Sequence, residues 1–332
     1  LVIDPNDYYN EKAWAGGVTG GLWYNDNITN EQSPWIPVDD LWDNLVISSI
    51  AFDPNNPNII YVGTGEANTA LVTYRESSGR GIGLWKSPDA GNSWELLTST
   101  ENFAYITDIA VAANSDVYLG VVSGSYYGIQ ESYPSDGLYK SINGGETWTQ
   151  VLPLIENTLT PFAPSDIEIS QNGRIFVGTM KNLDGHGGSY IMHSDTGDVN
   201  DWTIYNEMNI LISDQEEFNI PGRVVLSSSF SNPNTIYAVF GSGFINNYGF
   251  NYSYGNHILK SDNNGNTWNV KSIPEDYSDH SWATLAWHAL SIKVDPNNEN
   301  VLYIGGLDLF KSIDGSETWD KLSDWSLMYD GG

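Results

Sequence analysis

Residues 48–66 read SSIAFDPNNPNIIYVGTGE, and residues 81–97 read GIGLWKSPDAGNSWELL. An alternating run from Ile50 to Phe52 meets Asp53-Pro54-Asn55-Asn56-Pro57-Asn58, and a second apolar run follows from Ile59 to Val62. β-Branched alternation bounded by Asp, Asn and Pro predicts two antiparallel strands joined by a turn. A third strand, Leu84 to Lys86, enters a tight turn at Asp89-Ala90-Gly91-Asn92, and a fourth begins at Trp94. The unit recurs. Residues 290–306 read LSIKVDPNNENVLYIGG and are followed by LDLFKSIDGSETWDKL. Copies three and five carry ITDIAVAANSDVYLGVV with GLYKSINGGETWTQVL, and VVLSSSFSNPNTIYAVF with HILKSDNNGNTWNV. A looser fourth carries SDIEISQNGRIFVGT and YIMHSDTGDVNDWTIY, and the first runs from LVIDP through AWAGGVTGGLWYND. Trp35, Trp94, Trp148, Trp202, Trp268 and Trp319 recur at spacings of 59, 54, 54, 66 and 51 residues. Four short strands in units of roughly 40–60 residues predict an all-β fold, a β-propeller with six visible blades. The repeats lie at about 1–38, 47–97, 106–152, 165–205, 223–270 and 289–322, one propeller across residues 1–332.

The charge narrows the partners. With 42 acidic against 13 basic residues, the net charge of −29 excludes a nucleic-acid binder, which needs clustered Lys and Arg. It disfavours an anionic membrane surface on the same ground. No window nears the 18 apolar residues of a membrane-spanning helix, so no membrane insertion is expected. The absence of Cys removes disulfides, zinc-thiolate sites and cysteine nucleophiles together. Few charges beside abundant Gly, Tyr and Trp suit a secreted or cell-surface protein. Starting at Leu1 without Met or an apolar leader, the chain reads as a processed product or a fragment.

The turn before the fourth strand resembles the Asp-box, or BNR repeat, of pattern S-x-D-x-G-x-T-W. It stands as Ser87 to Trp94, Ser261 to Trp268 and Ser312 to Trp319; in Ser141 to Trp148 the acidic position holds the isostere Asn143. A short carboxylate or amide accepts the turn's own N–H groups, and the Trp packs on a neighbouring blade. The boxes resemble those of sialidases, sortilin-type receptors and xyloglucan-cleaving glycoside hydrolases. With Gly20-Gly21-Leu22-Trp23, the run Asp53 to Glu66, and Gly305 to Ser312, the chain is most similar to secreted glycosyl hydrolase-like BNR proteins of Bacteroidetes. That resemblance implies type IX secretion machinery as a partner, and further repeats, a seventh blade among them, with a C-terminal region beyond Gly332. Two departures oppose an enzyme. The xyloglucan hydrolases carry an Asp in the first repeat and face a second propeller, whereas Gly17-Val18-Thr19-Gly20-Gly21-Leu22 holds no acid. Sialidases need an arginine cluster, and this chain has only Arg75, Arg80, Arg174 and Arg223.

Within a blade the first-to-second and third-to-fourth turns share one end and are short. The second-to-third loops (64–81, 123–137, 179–188, 241–256) and the connections between blades (153–164, 205–222, 272–288) share the other and vary. Variable loops on a rigid scaffold are where binding resides. The expected ligand-binding residues there are Glu66, Tyr74, Arg75, Tyr126, Tyr127, Asp184, Tyr252, Trp282, Trp287 and His288, since flat rings with polar rims stack on sugar faces and on protein partners. Further loop residues of the same kind are Glu76, Tyr133, Tyr248, Phe250, Tyr254 and Tyr277. Asp108 and Asp166 occupy one repeat position, held by Ser49 and Ser291 elsewhere, and are the candidate acid and base of a glycosidase. His186, His280 and His288 lack a metal-binding spacing, so no metal and no cofactor is expected. The leading expectation is a binding module for an extracellular polysaccharide or a surface protein. The alternative is a xyloglucanase-like glycoside hydrolase, and a third reading is a structural segment of a larger adhesin.

Overall fold

The computed structural model describes residues 1–39, 41–67, 79–126, 129–132, 135–249, 251–275 and 281–327. Six four-stranded antiparallel sheets succeed one another, each with its strands in chain order, and form a six-bladed β-propeller fold. The third blade carries an extra hairpin, Gly124–Tyr126 with Ile129–Glu131, between its second and third strands. The chain divides into two compact units, Leu1–Ile167 and Glu168–Gly332.

In each unit the core lies between successive blades. In the first, Trp14 and Leu22 pack with Ile47, Ile60 and Val62, and Tyr61 and Leu84 with Ile106, Ile109 and Leu119. In the second, Phe176 and Ile191 pack with Val224, Leu226 and Phe240, and Tyr237 and Ile258 with Ile292, Val294 and Phe310. The second strands are therefore buried on both faces: Ile60–Thr64, Val117–Val121 and Ile175–Met180 have no exposed residue. This is why they read as unbroken apolar runs rather than alternating ones. Each fully buried Ile or Leu contributes about 1.5–3 kcal/mol.

A glycine lies in the second half of the second strand in each of these blades, and its lack of a side chain lets the next blade approach. A Cβ on Gly63 would lie 2.7 Å from Ile106 Cγ2, and one on Gly178 would lie 2.6 Å from the carbonyl oxygen of Val224.

The short turns behave as their sequences require. Asp4, Asp53 and Asp295 each accept through Oδ1 the N–H two residues on, from Asn6, Asn55 and Asn297, at 2.9, 2.8 and 2.8 Å. In the Ser-to-Trp turns, Asp89 Oδ1 accepts from Ser93 N at 2.8 Å and Oδ2 from Ser93 Oγ at 2.7 Å, while Gly91 N donates to Ser87 Oγ at 2.8 Å. Gly91, Gly145, Gly265 and Ser316 share a left-handed φ of 87°, 95°, 81° and 73°. In the last copy a serine thus occupies the position that glycine usually takes. The fifth copy corrects the sequence reading. Asn263, not an acid, fills the accepting position, with Thr267 N donating to its Oδ1 at 2.9 Å; the adjoining Asp262 turns outward to Lys260 at 2.8 Å. The fourth copy is one residue longer, and Asp201 accepts there from Ser194 Oγ and Thr196 Oγ1, each at 2.8 Å.

Two segments expected as loops are regular. Residues 241–256 are largely paired: Ile236–Ile245 and Asn251–Ser261 continue together out to Ile245 opposite Asn251. The connection 205–222 contains a seven-residue helix, Glu207–Ser213, that buries Met208 and Ile212. No described helix is long and apolar enough to cross a membrane.

Candidate functional site

Asp108 lies on the first strand of the third blade opposite Gly120, as Ser49 lies opposite Gly63 and Ser291 opposite Gly305. Its Oδ1 accepts from Ser49 Oγ at 2.8 Å and its Oδ2 from Ile167 N at 2.9 Å. Ser49 Oγ in turn accepts from Ile109 N at 3.2 Å. The carboxylate thus ties three successive first strands together and sits against the backbone that adjoins half-buried Asp166. The two acids occupy neighbouring first strands, with both oxygens of Asp108 engaged as acceptors.

In the second unit the same end of the blade gathers aromatic groups. The extension of the fifth blade places Phe244, Tyr252 and Tyr254 on one hairpin. Phe218 stacks on Tyr254 with ring centroids 4.7 Å apart and lies 5.6 Å from Phe244. Tyr252 meets Tyr254 edge-on at 6.4 Å. Tyr252 is 39% exposed, and Tyr248 at the hairpin tip is 87% exposed. The turn that precedes the sixth blade hydrogen-bonds to this hairpin: Gly255 N donates to Ala283 O at 3.1 Å and Ala286 N to Ser253 O at 2.9 Å. Trp287 and His288 follow on that turn, with rings 4.1 Å apart. Tyr252, Trp287 and His288 therefore belong to one loop cluster.

Arg223 anchors the turn, and the sequence reading missed this role. Its guanidinium donates to Ala286 O at 3.1 Å, His288 O at 2.7 Å and Leu290 O at 2.8 Å. Arg223 lies beside Gly241, where other blades hold Ser or Asp, and that break in the repeat was the available signal. A planar five-donor fork suits several carbonyls at once, which Lys could not match. Phe218 and Phe244 were also overlooked, because nothing in the repeat marks them.

Trp282 is not part of the surface. It is 4% exposed and packs edge-on against Phe310 at 6.4 Å in the core between blades. A bulky ring beside Gly255, where a Cβ would lie 2.6 Å from it, is an interior wedge rather than a stacking platform. Glu66 pairs through its backbone with Gly79, at 2.7 Å from N to O. Nearby, Arg80 reaches Glu131 of the extra hairpin at 3.2 Å. Asp184 and His186 are exposed in a loop whose N–H groups are held by Asn182 Oδ1 at 3.1 and 2.8 Å. Burial pushes the adjoining Lys181 ammonium below its ordinary range. Tyr74, Arg75 and Tyr127, like Glu76, Tyr133, Phe250, Tyr277 and His280, lie outside the described residues, as does the side chain of Tyr126. Among the described residues no group of three or more His, Asp or Glu could hold a metal ion.

No protein-family model matches the chain. The xyloglucanase Xgh74A of Acetivibrio thermocellus is 23% identical over 96% of this chain and 40% of its own length. A xyloglucanase of a Paenibacillus species is 28% identical over 40% of this chain and 12% of its own length. Of the solved structures, an ancestral GH74 enzyme is similar with a TM-score of 0.59 at 20% identity, covering 96% of this chain and 40% of that one. YCF48 bound to a D1 peptide is similar with a TM-score of 0.53 at 14% identity, covering 94% and 77%. The structural likenesses establish the fold. The chain spans 40% of the length of the Acetivibrio xyloglucanase that it matches.

Proposed function

We propose that this chain is the propeller of a glycoside hydrolase acting outside the cell on a neutral polysaccharide of the xyloglucan type. The observation that carries the reading is the match to a xyloglucanase along 96% of the chain. It favours hydrolysis over the binding-only role that the sequence suggested. The Ser-to-Trp turns, bonded as Asp-boxes require, are consistent with it, and export by a type IX route belongs with it. Glycoside hydrolysis needs two carboxyl groups about 5–9.5 Å apart, one to protonate the leaving oxygen and one to attack or to activate water. Asp108 and Asp166 are the pair assigned to these roles. The test is release of reducing ends from xyloglucan by the purified chain. Turnover is expected, and Asp108→Asn or Asp166→Asn should lower it by about 100-fold or more, the scale of a lost general acid or base. A folded wild-type chain that releases nothing overturns the reading.

A second reading, a glycan-binding module without turnover, is favoured by one observation. Both oxygens of Asp108 are engaged within the sheets, which makes it a tie between strands. That reading expects retention on immobilised xyloglucan, unaffected by Asp108→Asn and lost in Tyr252→Ala.

A further inference from the structure

Beside the Ser-to-Trp turn of the sixth blade there is a cavity of about 510 Å³, lined by Ser272, Ile273, Glu275, Glu317, Thr318 and Trp319. That volume falls within the roughly 300–1,000 Å³ of small-molecule sites. We infer that this cavity binds a neutral pyranose unit of a glycan chain, with none of the residues assigned to hydrolysis in its lining. The glycan class rests on the function proposed above; the site itself rests on the lining.

The wall is an anchored ring. Trp319 packs in part against the core of the fifth and sixth blades, and its Nε1 donates to Ser272 O at 2.9 Å. The same carbonyl accepts from Ser316 Oγ at 3.0 Å, and Ser272 N donates to Ser316 O at 3.0 Å. The indole is therefore held before any ligand arrives, so stacking costs little further ordering. Around it stand oxygen acceptors. Glu275 is exposed, Glu317 is steered by Lys271, and Thr318 Oγ1 spends its proton on Asp314 Oδ2 at 2.6 Å, which leaves it an acceptor for any further partner. An indole edged by acceptors matches a pyranose, which offers a C–H face and a rim of hydroxyl donors.

Other ligands fit less well. A divalent cation would need a third acidic or imidazole ligand, and no such group occurs among the described residues. An anionic sugar would meet the uncompensated Glu275 carboxylate in a chain of net charge −29. An organic cation would find Glu317 already neutralised by Lys271, which leaves Glu275 as the single uncompensated charge of the lining.

The test follows the Trp319 indole N–H signal in a two-dimensional NMR spectrum, identified by its loss in Trp319→Phe. Cellohexaose should shift that signal saturably, with a dissociation constant on the order of 1 mM. Ser272→Tyr fills the cavity while keeping the backbone partners of the indole, and should weaken the response at least tenfold with an unchanged thermal midpoint. No shift with cellohexaose, a shift that survives in Ser272→Tyr, or a response to tetramethylammonium alone would each overturn the inference. Hydrolysis is measured separately. A chain that cleaves nothing yet shows the saturable shift keeps this site and loses the hydrolase reading; cleavage without the shift does the reverse.

Discussion

At the scale of single residues, the Ser-to-Trp turns show how an acid and an amide do the same work with the hydrogen bond reversed. Thr318 Oγ1 donates to Asp314 Oδ2 at 2.6 Å, whereas Asn263 Nδ2 donates to Thr267 Oγ1 at 2.8 Å and Asn143 Nδ2 to Thr147 Oγ1 at 2.9 Å. A hydroxyl rotates to suit either partner, so the turn survives the exchange. Only the acid version titrates. Thr318, first through its hydroxyl and then through its N–H, holds the Asp314 carboxyl down to about 2 from an ordinary 3.8. Asp89 is lowered likewise, chiefly by the Ser93 hydroxyl. A depressed carboxylate stabilises the fold above its unfolded value, and that contribution is lost as pH falls through the folded value. His193 acts at higher pH: burial first, then the Arg174 guanidinium, pushes its imidazole below 6.5, so the fold favours the neutral ring. The thermal midpoint should therefore fall in two windows, one below about pH 6.5 and one between about pH 4 and 2. Asp314→Asn should shrink the lower window and leave the upper one. An unchanged profile across the lower range would show that the turn carboxylates contribute nothing.

At the scale of the strand and its neighbour, the repeated glycine decides how closely blades pack. A Cβ at Gly178 would meet backbone at 2.6 Å, and one at Gly63 would meet the Ile106 side chain at 2.7 Å. At Gly241 the nearest atom, Ala286 Cβ, would be 3.5 Å away. Backbone in a sheet moves less readily than a side chain, so the three alanine substitutions should differ in order. Gly178→Ala should cost most, about 2–3 kcal/mol, and Gly63→Ala about 1–2 kcal/mol, the range of overpacking. Gly241→Ala should be neutral or stabilising by up to about 1 kcal/mol, through loss of backbone freedom in the unfolded chain. Urea unfolding of the three variants checks the ranking. The glycines stand out in the sequence because they recur, but the atom each one spares was invisible until the neighbouring strand was placed. The same holds for Asp108, whose repeat position was legible and whose two donors, Ser49 and Ile167, were not. Trp282 failed for a related reason: an aromatic in a variable segment looks like a surface ring until a core cavity is found to take it.

At the scale of the whole molecule, a net charge of −29 sets a field that any polysaccharide ligand would have to enter. Neutral glucans pass it without cost, whereas polyuronates and sulfated chains are repelled over a Debye length of about 10 Å at 0.1 M salt. On the proposed function, affinity for xyloglucan should hardly vary between about 0.02 and 0.3 M salt, and any binding of an anionic polysaccharide should strengthen as salt rises. Calorimetric titration at the two ionic strengths decides this. Binding of an anionic chain that weakens with salt would mean that a local basic site overrides the field.

The repeat period and the strand-turn-strand grammar were sufficient to determine an all-β propeller of six four-stranded blades, since both depend on short-range backbone chemistry, and the charge balance restricted the partners. The tertiary structure decided what lies between repeats: which glycine spares which neighbour, that Arg223 clamps the turn bearing Trp287 and His288, that Trp282 is interior, and that Trp319 walls a cavity. These contacts join residues tens of positions apart whose pairing depends on how blades stack, and no local pattern encodes that distance.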